Sequence, residues 1–176
     1  MRRSFIDDSS DDETDDMPYH PNDVFTIVVL GDKMCGKTSF INRLRTNTFS
    51  LTYQPTRCIQ AHHNVSLGDV RADVWEIPSE VCARYNTLLS LRVDAVVVLF
   101  NSDDKNSFDN SVALWKSVRD AIYAKSSPDM WIVDRGITGC EVELCHPDRY
   151  FRVDSMTSDG FLDLTYDMRT TLLAKH

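Results

Sequence analysis

The sequence predicts an α/β domain built on a mostly parallel sheet of about six strands with helices on both faces. Three observations carry that prediction. Short apolar, β-branched runs alternate with stretches in which apolar residues recur every three or four positions. The run Ala95-Val96-Val97-Val98-Leu99-Phe100 is apolar throughout, which suits a central parallel strand covered on both faces. Gly31 to Thr38 reads G-D-K-M-C-G-K-T, a complete G-x-x-x-x-G-K-T loop standing between a strand and a helix start.

The elements follow in order. Residues 1–17 hold seven acidic side chains (Asp7, Asp8, Asp11, Asp12, Glu13, Asp15, Asp16) against Arg2 and Arg3, with no apolar periodicity. Residues 1–22 are therefore expected to be a disordered acidic tail, and 23–176 the folded domain. Val24 to Leu30 reads as a buried strand, and Ser39 to Leu44 as the start of an amphipathic helix. Ile59–Leu67 and Val70–Trp75 flank Gly68-Asp69, a hairpin signal. Tyr85 to Leu91 is a short helix candidate, and Ala95–Phe100 is the central strand. Ser107 to Ala124 reads as a helix with Phe108, Val112, Trp115, Val118 and Ile122 on one face. Met130–Val133 and Tyr150–Val153 are strands. Phe161–Leu173 closes the chain as a helix with Leu162, Thr165, Met168 and Leu172 aligned.

A strand, a glycine-bounded loop and a helix N-terminus together make an anion cradle. Backbone N–H groups and the helix dipole face the phosphates, Lys37 reaches the outer ones, and the Thr38 hydroxyl is offered to Mg²⁺. The nucleotide-binding candidates are thus Gly31, Asp32, Lys33, Met34, Cys35, Gly36, Lys37, Thr38 and Ser39, the signature of a P-loop NTPase fold. A plain glycine turn with a surface lysine explains neither the flanking strand nor the G-K-T order.

Composition narrows the class. The 176 residues are 42% hydrophobic, enough for one cored domain. Net charge is −8, of which −5 lies in the tail; the remainder lacks a basic stripe, which argues against nucleic-acid binding. Five scattered cysteines and the lack of a signal peptide point to a reducing, cytoplasmic setting. Cys140, Cys145 and His146 match no zinc spacing well, and His62-His63 on a strand point to opposite faces, so a structural metal is not expected. Without a lipidation signal, no direct membrane anchor is expected.

The loop in this order of elements resembles the Ras superfamily of small GTPases, its Rab-like and Ras-like branches most, from about Val24 to Leu173. Tyr53-Gln54-Pro55-Thr56 is similar to the switch I Y-x-P-T, and Phe100 to Asn110 to the family's fourth strand and the turn after it. The resemblance implies GTP or GDP with Mg²⁺ as ligands, and Thr56 beside Thr38 at the metal, sensing the γ-phosphate. It also implies protein partners at switch I (46–58) and switch II (77–85).

The chain departs from the family at defined places. W-D-T-A-G-Q-E becomes Trp75-Glu76-Ile77-Pro78-Ser79-Glu80. Glu76 stands for the aspartate that holds Mg²⁺ through water, with one methylene more. Ser79 stands for the glycine whose N–H turns onto the γ-phosphate, and Pro78 stiffens that backbone. Glu80 stands for the glutamine that orients the attacking water, so its carboxylate meets the terminal phosphate with like charge. Lys33 and Met34 replace small residues in the loop. The guanine-reading N-K-x-D becomes Asp134-Arg135-Gly136-Ile137, leaving Asp134 as the candidate for a base edge, and S-A-K becomes Asp154-Ser155-Met156. The segment between is shorter than the family's, its helix expected to shrink to a turn around Glu141–His146.

Three functions fit these residues. The first is a degenerate, pseudoGTPase-like module that holds nucleotide phosphates and Mg²⁺, barely hydrolyses, and acts through partners. The second is a working GTP-dependent switch in trafficking or signalling. The third, a P-loop enzyme of another class such as a nucleotide or small-molecule kinase, lacks a clustered arginine lid, since Arg84, Arg92 and Arg119 do not group. The first is the expectation carried forward, with Thr38, Thr56 and Glu76 as metal residues and Glu80 at the altered catalytic position.

Overall fold

A computed structural model describes residues 24–52, 54–82, 92–137 and 149–175. Six strands and four helices alternate along them: β1 (Val24–Gly31), α1 (Lys37–Thr46), β2 (Gln60–Leu67), β3 (Val70–Glu76), α2 (Ser79–Cys82), β4 (Ala95–Phe100), α3 (Ser107–Tyr123), β5 (Asp129–Asp134), β6 (Tyr150–Arg152) and α4 (Phe161–Leu173). The sheet order is β2-β3-β1-β4-β5-β6. Only β2 runs antiparallel, joined to β3 through Gly68-Asp69 as the hairpin signal predicts. The expected helix at Tyr85–Leu91 and turn at Glu141–His146 lie outside the described residues, as do the acidic tail, Tyr53, Cys140, Cys145 and His146.

The strands carry β-branched residues because both faces of the sheet are covered. Every residue of β4 is buried. On one face Phe25, Ile27, Val29, Val97, Leu99 and Trp131 pack under α1 and α4; on the other Val28, Leu30, Val96 and Val98 pack under α3. Truncating one of the large side chains here, Phe40 for example, costs about 3–5 kcal/mol.

Two helical faces differ from the sequence pattern. In α4 the buried stripe is Phe161, Leu164, Met168 and Leu172, while Leu162 is 84% exposed. Phe161 wins the inward position because Gly160, in the left-handed region at φ 75, sets the helix entry and a Cβ there would meet the Arg152 carbonyl at 2.0 Å. In α3 the first two turns bury Ser107 and Ser111 rather than Phe108 and Val112. Those hydroxyls are needed inside: Ser107 accepts the Asn101 N–H at 3.0 Å, and Ser111 donates to the Leu99 carbonyl at 3.0 Å.

The chain leaves β1 for α1 and returns to β3 on one side, then crosses to β4 on the other. β1 lies between them, with Val29 opposite Glu76 and Gly31 opposite Leu99. A crevice therefore opens at the carboxyl ends of β1 and β3, where α/β sheets place their ligands.

Candidate functional site

That crevice holds a cavity of about 830 Å³, within the range of small-molecule sites. Its floor is the loop between β1 and α1. Gly31 is required by contact, since a Cβ there would sit 2.2 Å from the Leu99 carbonyl oxygen. Gly36 is required by conformation: at φ 89 it forms the N-cap of α1. No side chain caps that helix and its first turn carries no acidic residue. The leading N–H groups of α1, which have no acceptor within the helix, are left for an anion.

Lys37 is buried, its ammonium donating to the Gly31 carbonyl at 3.0 Å and the Asp32 carbonyl at 2.8 Å. Those bonds fold the side chain along the loop. Cys35 packs beneath it, and burial, opposed by the Lys37 charge, pushes its thiol up to about 11. The thiol is a filler of the core rather than a nucleophile. Asp32 turns away from the cavity: its N–H donates to Ser111 Oγ at 3.0 Å and its carboxylate accepts from Asn110 Nδ2 at 2.8 Å. Met34 adopts φ 60 and lies exposed beside Lys33 at the cavity wall.

Three oxygen-bearing side chains meet at the start of α1. Thr38 Oγ1 lies 3.0 Å from Thr56 Oγ1 and donates to Glu76 Oε1 at 2.6 Å; Thr56 Oγ1 is 3.0 Å from the same oxygen. Adjacent ligands of an octahedral Mg²⁺ with bonds of 2.0–2.1 Å lie about 2.9 Å apart. The donors are all hard oxygens. Glu76 is 1% exposed and its Oε2 has no hydrogen-bond partner among the described residues, so the buried carboxylate lacks part of its charge compensation. This set fits a hard divalent cation. Facing Oε2 at 3.7 Å is Nε2 of His62; burial holds that imidazole below its ordinary pKa, against the pull of Glu76.

Pro78, Ser79 and Glu80 form the far wall, with Pro78 buried and Glu80 exposed. Gln54, Pro55, Thr56 and Arg57 close the cavity from above. Lys33, Lys37, Arg57 and Arg135 give it four cationic side chains against Glu76 and Glu80, an excess suited to a polyphosphate.

The expectation that Asp134 reaches a base edge is corrected by the structure. Asp134 is fully buried. Its Oδ1 accepts the Ser102 N–H at 3.0 Å and the Gly136 N–H at 2.7 Å, and its Oδ2 accepts the Tyr150 hydroxyl at 2.9 Å. The carboxylate is consumed in tying together the ends of β4, β5 and β6. Burial, then this bond, pushes the Tyr150 phenol up to about 12. Ile137, where the resemblance calls for the base-reading aspartate, is 85% exposed. Its N–H donates to the Asp103 carboxylate at 3.0 Å. Arg135 instead reaches the cavity, lying over Gly36 so closely that a Cβ there would meet its side chain at 2.8 Å. Arg43 anchors the loop after β6, donating to the Ser155 and Met156 carbonyls at 2.8 Å each.

Sequence reasoning missed Arg135, Arg57, Ser111 and His62. Arg135 could have been found, since it stands where the resemblance puts the lysine of N-K-x-D. Ser111 and His62 carry no local signal. The pair His62-His63 does not chelate: His63 Nδ1 lies 2.8 Å from Asp73 Oδ2, on the outer face. Among the described residues no group of three or more His, Cys, Asp or Glu could hold a metal by itself.

Comparison with known proteins agrees with this geometry. The family model described as Ras family matches residues 26–135. Ras-related protein RabY of Dictyostelium discoideum is 28% identical over 95 residues, 51% of this chain and 40% of that protein. GTP-binding protein RHO3 of Eremothecium gossypii is 28% identical over 94 residues, 52% of this chain and 42% of that protein. EF-hand calcium-binding domain-containing protein 4B of Homo sapiens is 33% identical over 110 residues, 60% of this chain but 15% of that protein. The chain thus matches less than half the length of these relatives. With the family matched over most of its described sheet and a P-loop NTPase fold beneath it, the chain belongs to the Ras family.

Proposed function

We propose that this chain holds GTP, or the phosphates of a nucleotide, with Mg²⁺ at its phosphate loop, hydrolyses it weakly or not at all, and acts through protein partners as a regulatory or scaffold module. The observation that carries the reading is the convergence of the Thr38 and Thr56 hydroxyls on the buried Glu76 carboxylate, beside an uncapped helix N-terminus. Thr38, Thr56 and Glu76 would hold the cation, and Lys37 with the N–H groups of α1 would hold the outer phosphates. The metal, when bound, neutralises phosphate charge. The relative named GTP-binding protein RHO3 supports a guanine nucleotide as the ligand.

Weak hydrolysis is supported by the far wall. Glu80 brings a carboxylate to a cavity whose other contents attract phosphate, and like charge opposes the approach of a terminal phosphate. Pro78, buried just before Ser79, fixes one backbone torsion of a segment that must turn during hydrolysis by the family route. Weak base discrimination is supported by the burial of Asp134, which leaves phosphates and Arg135 to supply most of the affinity. Partner contact through 46–58 and 77–85 is what membership of the Ras family implies. No helix among the described residues is long and apolar enough to cross a membrane.

A second reading, an active GTP-dependent switch in trafficking or signalling, is favoured by Thr56, whose contact with Thr38 couples the overlying loop to the site. Purification without added nucleotide, denaturation, and ion-exchange analysis of the released ligand separates the two. Stoichiometric GTP is the expected result. Released GDP supports the active switch instead, and an empty protein that ignores fluorescent GTP and ATP sinks both.

A further inference from the structure

β2 contains a bulge whose effect is to face His62 towards Glu76. Gln60, Ala61 and His62 pair with Glu76, Trp75 and Val74, whereas Val65, Ser66 and Leu67 pair with Ala72, Arg71 and Val70. His63 and Asn64 are thus together opposite Asp73. Without the extra residue, strict alternation would put His62 and Val65 on opposite faces of the sheet. With it, both lie on the face that carries Ala72, Val74 and Glu76. The bulge is fastened: Asn64 takes φ 56 and donates its N–H to Asp73 Oδ1 at 3.1 Å, while His63 Nδ1 meets Asp73 Oδ2 at 2.8 Å.

Glu76 is left asymmetric. Its Oε1 accepts both threonine hydroxyls, and its Oε2 is buried without a hydrogen-bond partner among the described residues. His62 Nε2 is likewise buried without a hydrogen bond among the described residues, 3.7 Å from Oε2. Two buried polar atoms with complementary needs therefore face each other, and closing the gap to about 3.0 Å satisfies both. We propose that His62 is the positioning residue of the metal site: its Nε2–H donates to Glu76 Oε2 and holds the long carboxylate so that Oε1 stays with Thr38 and Thr56. The extra methylene of Glu76 is accommodated by a histidine that a bulge brings to it, an outer-sphere arrangement of the kind that orients metal ligands.

The inference rests on the reading of the cavity as an Mg²⁺–nucleotide site, and its test distinguishes the two. Release of a fluorescent GTP analogue from the full chain is followed while Mg²⁺ is titrated. His62→Phe and His62→Leu, two donorless side chains of different shape, are checked for folding by circular dichroism and compared with His62→Gln, whose amide N–H replaces Nε2–H. The donorless variants should raise the Mg²⁺ concentration for half-maximal retention about tenfold, and His62→Gln should return it to within about threefold of wild type. With Mg²⁺ chelated, all should release the analogue at one rate, which a merely structural histidine would not produce. A donorless variant with the wild-type Mg²⁺ midpoint, or a His62→Gln no better than His62→Leu, overturns the positioning role alone. A wild-type protein that retains no analogue at any Mg²⁺ concentration overturns the site reading and this role with it.

Discussion

Replacing Asp134 by alanine should damage stability far more than nucleotide binding. The carboxylate accepts three hydrogen bonds, from the Ser102 N–H, the Gly136 N–H and the Tyr150 hydroxyl. The Gly136 bond is fully buried, so its donor is stranded when the acceptor goes; the other two are part-buried and can be partly rewetted. One stranded donor at about 1–3 kcal/mol and two rewetted ones at about 1 kcal/mol each give a loss of roughly 3–5 kcal/mol. In a domain of this size that lowers Tm by about 6–20 °C, since 1 kcal/mol shifts it by roughly 2–4 °C. Asp134→Asn keeps one acceptor oxygen for the two N–H groups and should cost about 1–2 kcal/mol. Urea unfolding of both variants, with affinity for a fluorescent GTP analogue measured well below each midpoint, supplies the comparison. The bracket assignment is refuted if Asp134→Ala stays within about 1 kcal/mol of wild type while its affinity collapses. That result would return Asp134 to the base site that the sequence suggested.

Lys37→Ala should abolish retention of any nucleotide in a filter-binding assay, and unchanged retention would overturn the phosphate cradle. Ser79→Gly combined with Glu80→Gln should raise single-turnover GTP hydrolysis above wild type, and a flat rate would move the obstacle to Lys33 and Met34. Asp129 gives a pH prediction. Burial raises its pKa, but Lys175 and Arg149 more than offset this and hold it below the usual carboxylate value. A depressed folded pKa means stability that is present above the unfolded value and lost as pH falls through the folded one. The difference in urea midpoint between wild type and Asp129→Asn should therefore be constant near neutrality, shrink as pH falls below about 4, and disappear only below the depressed folded value. A difference that persists in acid shows that the ion pairs with Lys175 and Arg149 are not its source.

What the sequence made legible was whatever the chain encodes locally. The β1–loop–α1 unit is contiguous, its glycines are fixed by φ and by contact with Leu99, and the G-K-T order states its chemistry outright. The all-apolar run of β4 and the Gly68-Asp69 hairpin are local in the same sense. The faces of α3 and α4 were harder, because hydrophobicity alone does not say that a core needs the Ser111 hydroxyl between Asp32 and Leu99. Thr56 and Glu76 could be assigned through motifs, but their meeting with Thr38 joins three segments of the chain.

Asp134 and His62 show why the rest was not legible. Each has a polar side chain whose role depends on atoms far away in sequence. Asp134 ends a strand where the sequence suggests a base-seeking carboxylate, yet three donors reach it from the ends of β4, β5 and β6 and it does not line the cavity. The sequence presents His62 as one of two histidines alternating on a strand. The alternation is broken one residue later by a bulge that depends on Asp73 across the ladder. An unpaired buried polar group costs more than most single contacts give, and at Asp134 the fold spends three donors on satisfying it. A family motif altered at such a position can therefore change from ligand reader to structural bracket without disturbing the strand that carries it. On the proposed positioning role, the same physics would keep Glu76, one methylene longer than the resemblance calls for, in the site once His62 on the neighbouring strand closes from 3.7 Å onto its far oxygen.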